Sequence, residues 1–391
     1  MSVASAGIEP ELLTAWVARL VAIPSVNPLQ AGPRAGTPGE GALARATAAW
    51  CADLGADETH LDEGPTGRLN VYAIWRNEAS DRWIGFDAHL DTVGVEHCDG
   101  DPFDAHVTNG RVHGRGSVDT KGGLATLLAV VDDLRRRGLR PAHNLLVAGT
   151  IAEEAGGMLG ATMLREWLDA RDLRIDELIV AEPTDCAPVH GHKGGVLLRV
   201  TVLGEAAHTA KPELGRNAVV GAARIALAYE AEHERLLTVP PATEVGGGTL
   251  TVTAIEGGSG SNIVPDRCTL EVGRRVAPGE DAEEVAAGLE AIARDACPLP
   301  VEIERVGVAD AFYRPPDSPL ASMLASWTGE AARPAPYGTN ALRYLGTDRI
   351  DDMVVMGPGS IDIAHKAVEW VELTELVRMA SALERWLTTE R

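Results

Sequence analysis

Strand-like and helix-like runs alternate along the first half of the chain and again near its end, and few folds accommodate that order. Leu12, Leu13, Trp16, Val17 and Leu20 share one apolar face ended by Pro24, and a second helix is expected from about Glu40 to Leu54, stopping at Gly55. Strand-like runs follow at Leu69–Trp75 and Arg82–Asp87. After a turn-rich connection, Gly122 and Gly123 open a helix carrying Leu124, Leu127, Leu128, Val131 and Leu134 at helical spacing, closed by Gly138 and Pro141. Asn144–Thr150 reads as a strand, Ala161–Ala170 as a helix and Glu177–Ala181 as a strand. This order predicts an α/β fold with a mostly parallel sheet covered by helices.

After Cys186 the texture changes. Runs at Gly195–Leu203, Gly248–Glu256, Arg267–Arg275 and Pro300–Arg305 read as strands, with helices at Ala218–Ala231 and Ala282–Arg294. Such an order suits a small α+β unit with an antiparallel sheet. The first pattern resumes with a helix at Leu320–Glu330 and a strand at Asp352–Met356. At 391 residues two domains are expected. The expected division is a discontinuous larger domain, 1–185 and 306–391, holding an inserted domain at 186–305.

The formal net charge of −22 argues against nucleic acid or anionic membrane surfaces as partners. Five cysteines are widely spaced, odd in number and lack any C-x-x-C pattern, which fits free thiols in a reducing cytoplasm. Met1–Pro10 carries no basic-then-apolar leader pattern, and no apolar run approaches the roughly 18 residues of a membrane span.

The chemistry collects at strand ends. His89-Leu90-Asp91 follows the run ending at Asp87, Glu153-Glu154 follows Thr150, Glu182 follows Ala181, and Gly357–Ser360 with His365 follows Met356. Asp119 adds a carboxylate from the Gly116–Gly123 loop. Open α/β sheets place their sites beyond the carboxyl ends of strands. Two divalent cations held close together need anionic ligands against their mutual repulsion, with one carboxylate bridging. Two imidazoles and three carboxylates meet that need, and a further carboxylate can take a proton from a shared water. Each short pattern alone is commonplace; their order on successive strand ends is not.

The wording of these motifs resembles the acetylornithine deacetylase, succinyl-diaminopimelate desuccinylase and carboxypeptidase family of two-zinc hydrolases. The matching stretches are Asp87-Ala-His-Leu-Asp-Thr-Val93, Gly114-Arg-Gly-Ser-Val-Asp-Thr-Lys-Gly-Gly123, Glu153-Glu154 with Gly156-Gly157, and Ala181-Glu-Pro-Thr184. They continue through Gly204-Glu-Ala-Ala-His208, Gly215-Arg-Asn-Ala218, Ser261-Asn-Ile-Val-Pro265, Gly357-Pro-Gly359 and Ala364-His365. The resemblance implies two divalent ions, zinc with cobalt able to substitute. Asp119 would bridge them, with His89 and Glu182 on one and Glu154 and His365 on the other. Glu153 would be the general base, and Asp91 would orient His89.

His208, in the inserted domain, would reach a neighbouring protomer's site and steady an oxyanion, which implies a homodimer through that domain. Arg275 would bind a substrate carboxylate, helped by Asn262 and by the backbone at Gly359 and Ser360, while Arg274 would face solvent. The expected reaction is hydrolysis of the amide of an N-acyl amino acid, with terminal peptide cleavage by a carboxypeptidase or dipeptidase as the alternative. A binding protein that had lost catalysis would lack a ligand or Glu153, and none is missing. Relatives often carry an acidic residue where this chain has Asn340, beside the substrate, which weakens a preference for a cationic substrate amine. His97, His106 and His113 are expected on the surface, His190 and His192 at the domain junction, and Lys121 in a local charge contact.

Overall fold

The computed structural model describes residues 7–390, so most of the stretch read for a leader pattern lies outside the described residues. Two compact units emerge. The larger comprises the chain up to His190, Arg314–Arg333 and everything from Thr339, and the smaller comprises Gly191–Tyr313 with Pro334–Gly338. The division thus falls later than 185/186 and 305/306, and a short second segment joins the smaller unit. The reason is local: Val189 still pairs with Val355 of the main sheet, and the strand expected to end at Arg305 continues to Ala309.

In the larger unit the sheet runs Glu58–Glu63, Leu69–Trp75, Asn144–Thr150, Trp83–His89, Ile175–Val180 and Ile350–Val355. The last four are mutually parallel, and the first two join antiparallel. All seven residues of Leu69–Trp75 and of Asn144–Thr150 are buried, as strands covered on both faces require. Helix Lys121–Arg136 is buried on almost every side, lying between the sheet and helices Pro10–Val21 and Leu373–Thr388. Helix Pro319–Thr328 has Pro319 in its first turn and the Ser318 hydroxyl accepting from the Ala321 N–H. It stops two residues short of the expected Glu330 because Gly329 turns left-handed at φ 78°.

The smaller unit is a four-stranded antiparallel sheet in the order Thr249–Gly257, Arg267–Val276, Gly194–Leu203, Val301–Ala309. Helices Ala218–Leu237 and Ala282–Ala296 pack on it, with Leu198, Val200, Leu270, Ile225 and Leu289 in the shared core.

Candidate metal centre

The four parallel strands end on one edge, and each delivers a polar side chain there. His89 is the last residue of Trp83–His89, Glu153 and Glu154 follow Asn144–Thr150, Glu182 follows Ile175–Val180, and His365 lies in the loop after Ile350–Val355. Asp119 precedes helix Lys121–Arg136, and its peptide bond to Thr120 is cis. Two non-glycine residues here adopt left-handed backbone, Ala152 (φ 64°) immediately before Glu153 and His365 itself (φ 63°). Such conformations carry a cost on the order of 1 kcal/mol each and persist where surrounding structure dictates them.

The two oxygens of Asp119 divide between two imidazoles. Nε2 of His89 lies 3.0 Å from Oδ1, and Nε2 of His365 lies 3.1 Å from Oδ2. Glu182 Oε1 is 4.0 Å from His89 Nε2, and Glu154 Oε2 is 3.1 Å from His365 Nε2. Two groups of donor atoms close enough to share an ion result, His89–Asp119–Glu182 and Asp119–Glu154–His365, with Asp119 common to both.

The electrostatics fit such a role. Burial, followed by neighbouring negative charge, pushes the Glu153 carboxyl up to about 8, with Glu154, Asp119 and Asp91 contributing against the pull of His89. Burial and Asp119 raise Glu154 to about 7, and burial with Glu153 raises Glu182 well above its usual range. Burial works against Asp119 as well, yet hydrogen bonds from His365 and His89 hold it well below. Hydrogen bonds to Asp119 and Glu154 lift His365 to about 10. Four crowded carboxylates against two imidazoles leave the cluster short of positive charge, the deficit that two divalent cations would fill.

Supporting contacts set the strand-end loops. The Asp91 carboxylate does not hold His89 as expected; its Oδ1 is 3.7 Å from Nδ1, while the Asp91 backbone carbonyl lies 2.9 Å from that nitrogen. The carboxylate instead accepts the backbone N–H groups of Glu153 and Glu154, each at 3.1 Å, and the Asn27 amide at 2.7 Å. Its reach is therefore toward the loop that carries Glu153. Glu40, paired with Arg68, accepts from the Ala152 N–H at 3.2 Å. Lys121 is buried at the start of its helix, where the charge of Glu369 acts on it. Its Nζ donates to the Ile23 carbonyl at 2.8 Å, and burial brings its ammonium down to about 7.

Three residues expected to contact substrate, Asn340, Gly359 and Ser360, make hydrogen bonds within the protein. Asn340 is buried and its amide donates to Asp87 Oδ2 (3.1 Å) and Thr150 Oγ1 (2.9 Å), facing the sheet interior. Gly359 gives its carbonyl to the Asp185 N–H at 2.7 Å and its own N–H to Glu375. Ser360 is half-buried and its hydroxyl accepts from the Asp362 N–H at 3.4 Å. In the smaller unit Arg274, expected to face solvent, is buried and paired with Glu280, whereas Arg275 is exposed. Alternation gives two faces to a strand, and helices Ala218–Leu237 and Ala282–Ala296 cover the one bearing Arg274. Asn262 and His208 are exposed, and His208 Nδ1 accepts from the Ala210 N–H. His106 and His113 stack with ring centres 4.8 Å apart, His97 reaches the His365 carbonyl, and His190 and His192 are buried. The motif reading missed Asn27, Glu40, Arg68 and Glu369, none of which directly follows the carboxyl end of a strand in sequence.

A family profile described as peptidase family M20/M25/M40 matches residues 85–389. The chain belongs to this peptidase family. Among relatives, acetylornithine deacetylase of Myxococcus xanthus is 32% identical over 346 residues, 83% of this chain and 85% of that protein. Succinyl-diaminopimelate desuccinylase 2 of Ruegeria sp. (strain TM1040) is 29% identical over 243 residues, 59% of each chain. The fold matches an M20 family metallo-carboxypeptidase from Sulfolobus solfataricus with a TM-score of 0.74 at 18% identity, covering 96% of this chain and 98% of that one. Aminopeptidase PepT from Bacillus cereus matches with a TM-score of 0.73 at 18% identity, over 97% of this chain and 98% of the other. M20 membership makes the chain a hydrolase of amide bonds, and the strand-edge cluster lies within the matched residues.

Proposed function

We propose that this M20 enzyme hydrolyses the amide of an N-acyl amino acid, with His89, Asp119 and Glu182 holding one divalent cation and Asp119, Glu154 and His365 holding a second. The observation that carries the reading is the split of Asp119, one oxygen toward each imidazole. The nitrogen and oxygen donor set suits zinc, with cobalt able to replace it. Bound there, the pair would polarise an amide carbonyl and make a water more acidic.

The chain's own groups supply the rest. Glu153 feels the charges of His89, Glu154 and Asp119 without belonging to either group of ligands, so its carboxylate is available as general base. It takes a proton from the attacking water and returns it to the leaving amine. Asp91 holds the Glu153 backbone in place through its own carboxylate. Arg275, exposed on the smaller unit, is the candidate clamp for the substrate carboxylate, and exposed Asn262 shares that task. His208 contributes to a partner copy's site, the two copies pairing through the smaller unit. Exposed Leu227, Val220 and Ile255 on that unit supply apolar surface for such pairing. The five free thiols suit a cytoplasmic enzyme, and among the described residues no helix is long and apolar enough to cross a membrane.

Relatives named as a deacetylase and a desuccinylase favour deacylation, while the family's peptidases keep terminal peptide cleavage as the second reading. Metal analysis with a panel of N-acetyl amino acids, N-succinyl amino acids and dipeptides, before and after chelation, separates them. Two equivalents of metal, chelator-sensitive turnover and preference for the acylated amino acids are expected. Turnover that survives complete metal removal overturns the mechanism, and preference for dipeptides overturns the substrate class.

A further inference from the structure

The two half-sites are built differently. His89 belongs to a strand whose backbone is laddered to Asn144–Thr150, and Glu182 stands just past a strand laddered on both sides. Sheet hydrogen bonds therefore place them. Asp119 and His365 sit on loops, and the His365 side chain is 51% exposed. Something other than the sheet has to hold these two.

Arg115 does so from the interior, at 2% exposure. Its guanidinium pairs with the Glu369 carboxylate, itself 5% exposed, through Nη1 and Oε2. The other Glu369 oxygen accepts the backbone N–H groups of Val118 at 3.0 Å and Asp119 at 3.1 Å. Nη2 of Arg115 donates to the Lys366 carbonyl at 3.1 Å, one residue after His365. His97 Nε2 lies 2.9 Å from the His365 carbonyl and 3.3 Å from the same Nη2. One buried ion pair thus ties the chain on both sides of the cluster, at Asp119 and at His365.

Building on the two-cation reading, we infer that the Arg115–Glu369 pair, with His97, positions Asp119 and His365 and selectively sets the affinity of the Asp119–Glu154–His365 half-site. None of the three belongs to either ligand group: Glu369 and His97 hold backbone groups of Asp119 and His365, and Arg115 holds Glu369 and the Lys366 carbonyl next to His365. Groups that orient metal ligands in this way typically alter affinity by about 10–100-fold when removed. The His89–Asp119–Glu182 half-site, with two of three ligands fixed by the sheet, is far less dependent on them.

Titration of the metal-free full-length protein with Zn2+ against a chromophoric chelator tests this, with thermal unfolding of the metal-free proteins alongside. Glu369→Gln keeps the side-chain shape while weakening both the ion pair and the paired acceptor. It is expected to weaken one of two binding steps by about 10-fold or more and the other by less than about threefold. His97→Ala, at an exposed position where folding is not at risk, is expected to weaken the same step by a smaller factor. Equal weakening of both steps, or unchanged steps with only a lowered unfolding temperature, overturns the inference and leaves the two-cation reading intact. A wild-type protein that takes up fewer than two equivalents overturns the two-cation reading itself.

Discussion

Asp87 is fully buried under the His89 end of its strand, and burial pushes its carboxyl upward. Its oxygens accept from Thr150 Oγ1 (2.7 Å), the Tyr344 hydroxyl (2.7 Å) and the Asn340 amide (3.1 Å). Removing one donor leaves a buried acceptor short, so Tyr344→Phe should cost about 1–3 kcal/mol of stability, read as a lower denaturant midpoint. At Glu153 the expected effect is catalytic instead. Glu153→Gln should lower kcat by roughly 100- to 10,000-fold with metal content unchanged; metal loss in that variant would make Glu153 a ligand. The residues now grouped around Asp119 could be named from sequence because each follows a strand-like run or opens a helix. Arg115 was visible inside a motif but without a task, since its partner Glu369 is 254 positions away and no short pattern links them. Asn340 was misread because a short motif carries no sign of burial, and its side chain is buried against Asp87 and Thr150.

At the scale of elements, strand existence was legible where apolar runs are continuous, as in Asn144–Thr150. The edge strand Glu58–Glu63 escaped notice because its burial alternates between half-buried and exposed, and Leu61 is its one apolar side chain, too few to show a period. Arg274 and Arg275 show the complementary limit: a period of two assigns neighbours to opposite faces without saying which face is covered. The turn after Ile350–Val355 is under tighter constraint. A side chain at Gly357 would bring a Cβ to 2.5 Å from the Glu182 backbone oxygen. Gly357→Ala should therefore displace Glu182 and reduce bound metal, checked by metal analysis of the folded variant. Retention of both ions would show that the loop can yield.

At the scale of the whole chain, the two-unit division was legible from the change of texture near Cys186, though its edges were not, because the junction strand Val189–His192 carries no apolar alternation of its own. His192 within it has a pH consequence. Burial first, and the nearby Arg275 charge, bring its imidazole down to about 4 from 6.5. Between these values the unfolded chain takes up a proton that the folded one refuses, so stability is full above about pH 6.5 and declines toward pH 4. The loss attributable to this group is about 3 kcal/mol, and His192→Gln should flatten that part of the acid unfolding profile relative to wild type. The sheet order has a further consequence for synthesis. Strand Ile350–Val355 pairs directly with Ile175–Val180, yet more than a third of the chain separates them. As the polypeptide leaves the ribosome, Ile175–Val180 must wait with one edge unpaired until the segment beyond the insertion is made, and His365 is made later still. A chain interrupted before Ile350–Val355 keeps an open sheet edge and lacks the proposed ligand His365, so such truncated products should be sticky and unable to retain the second of the proposed ions.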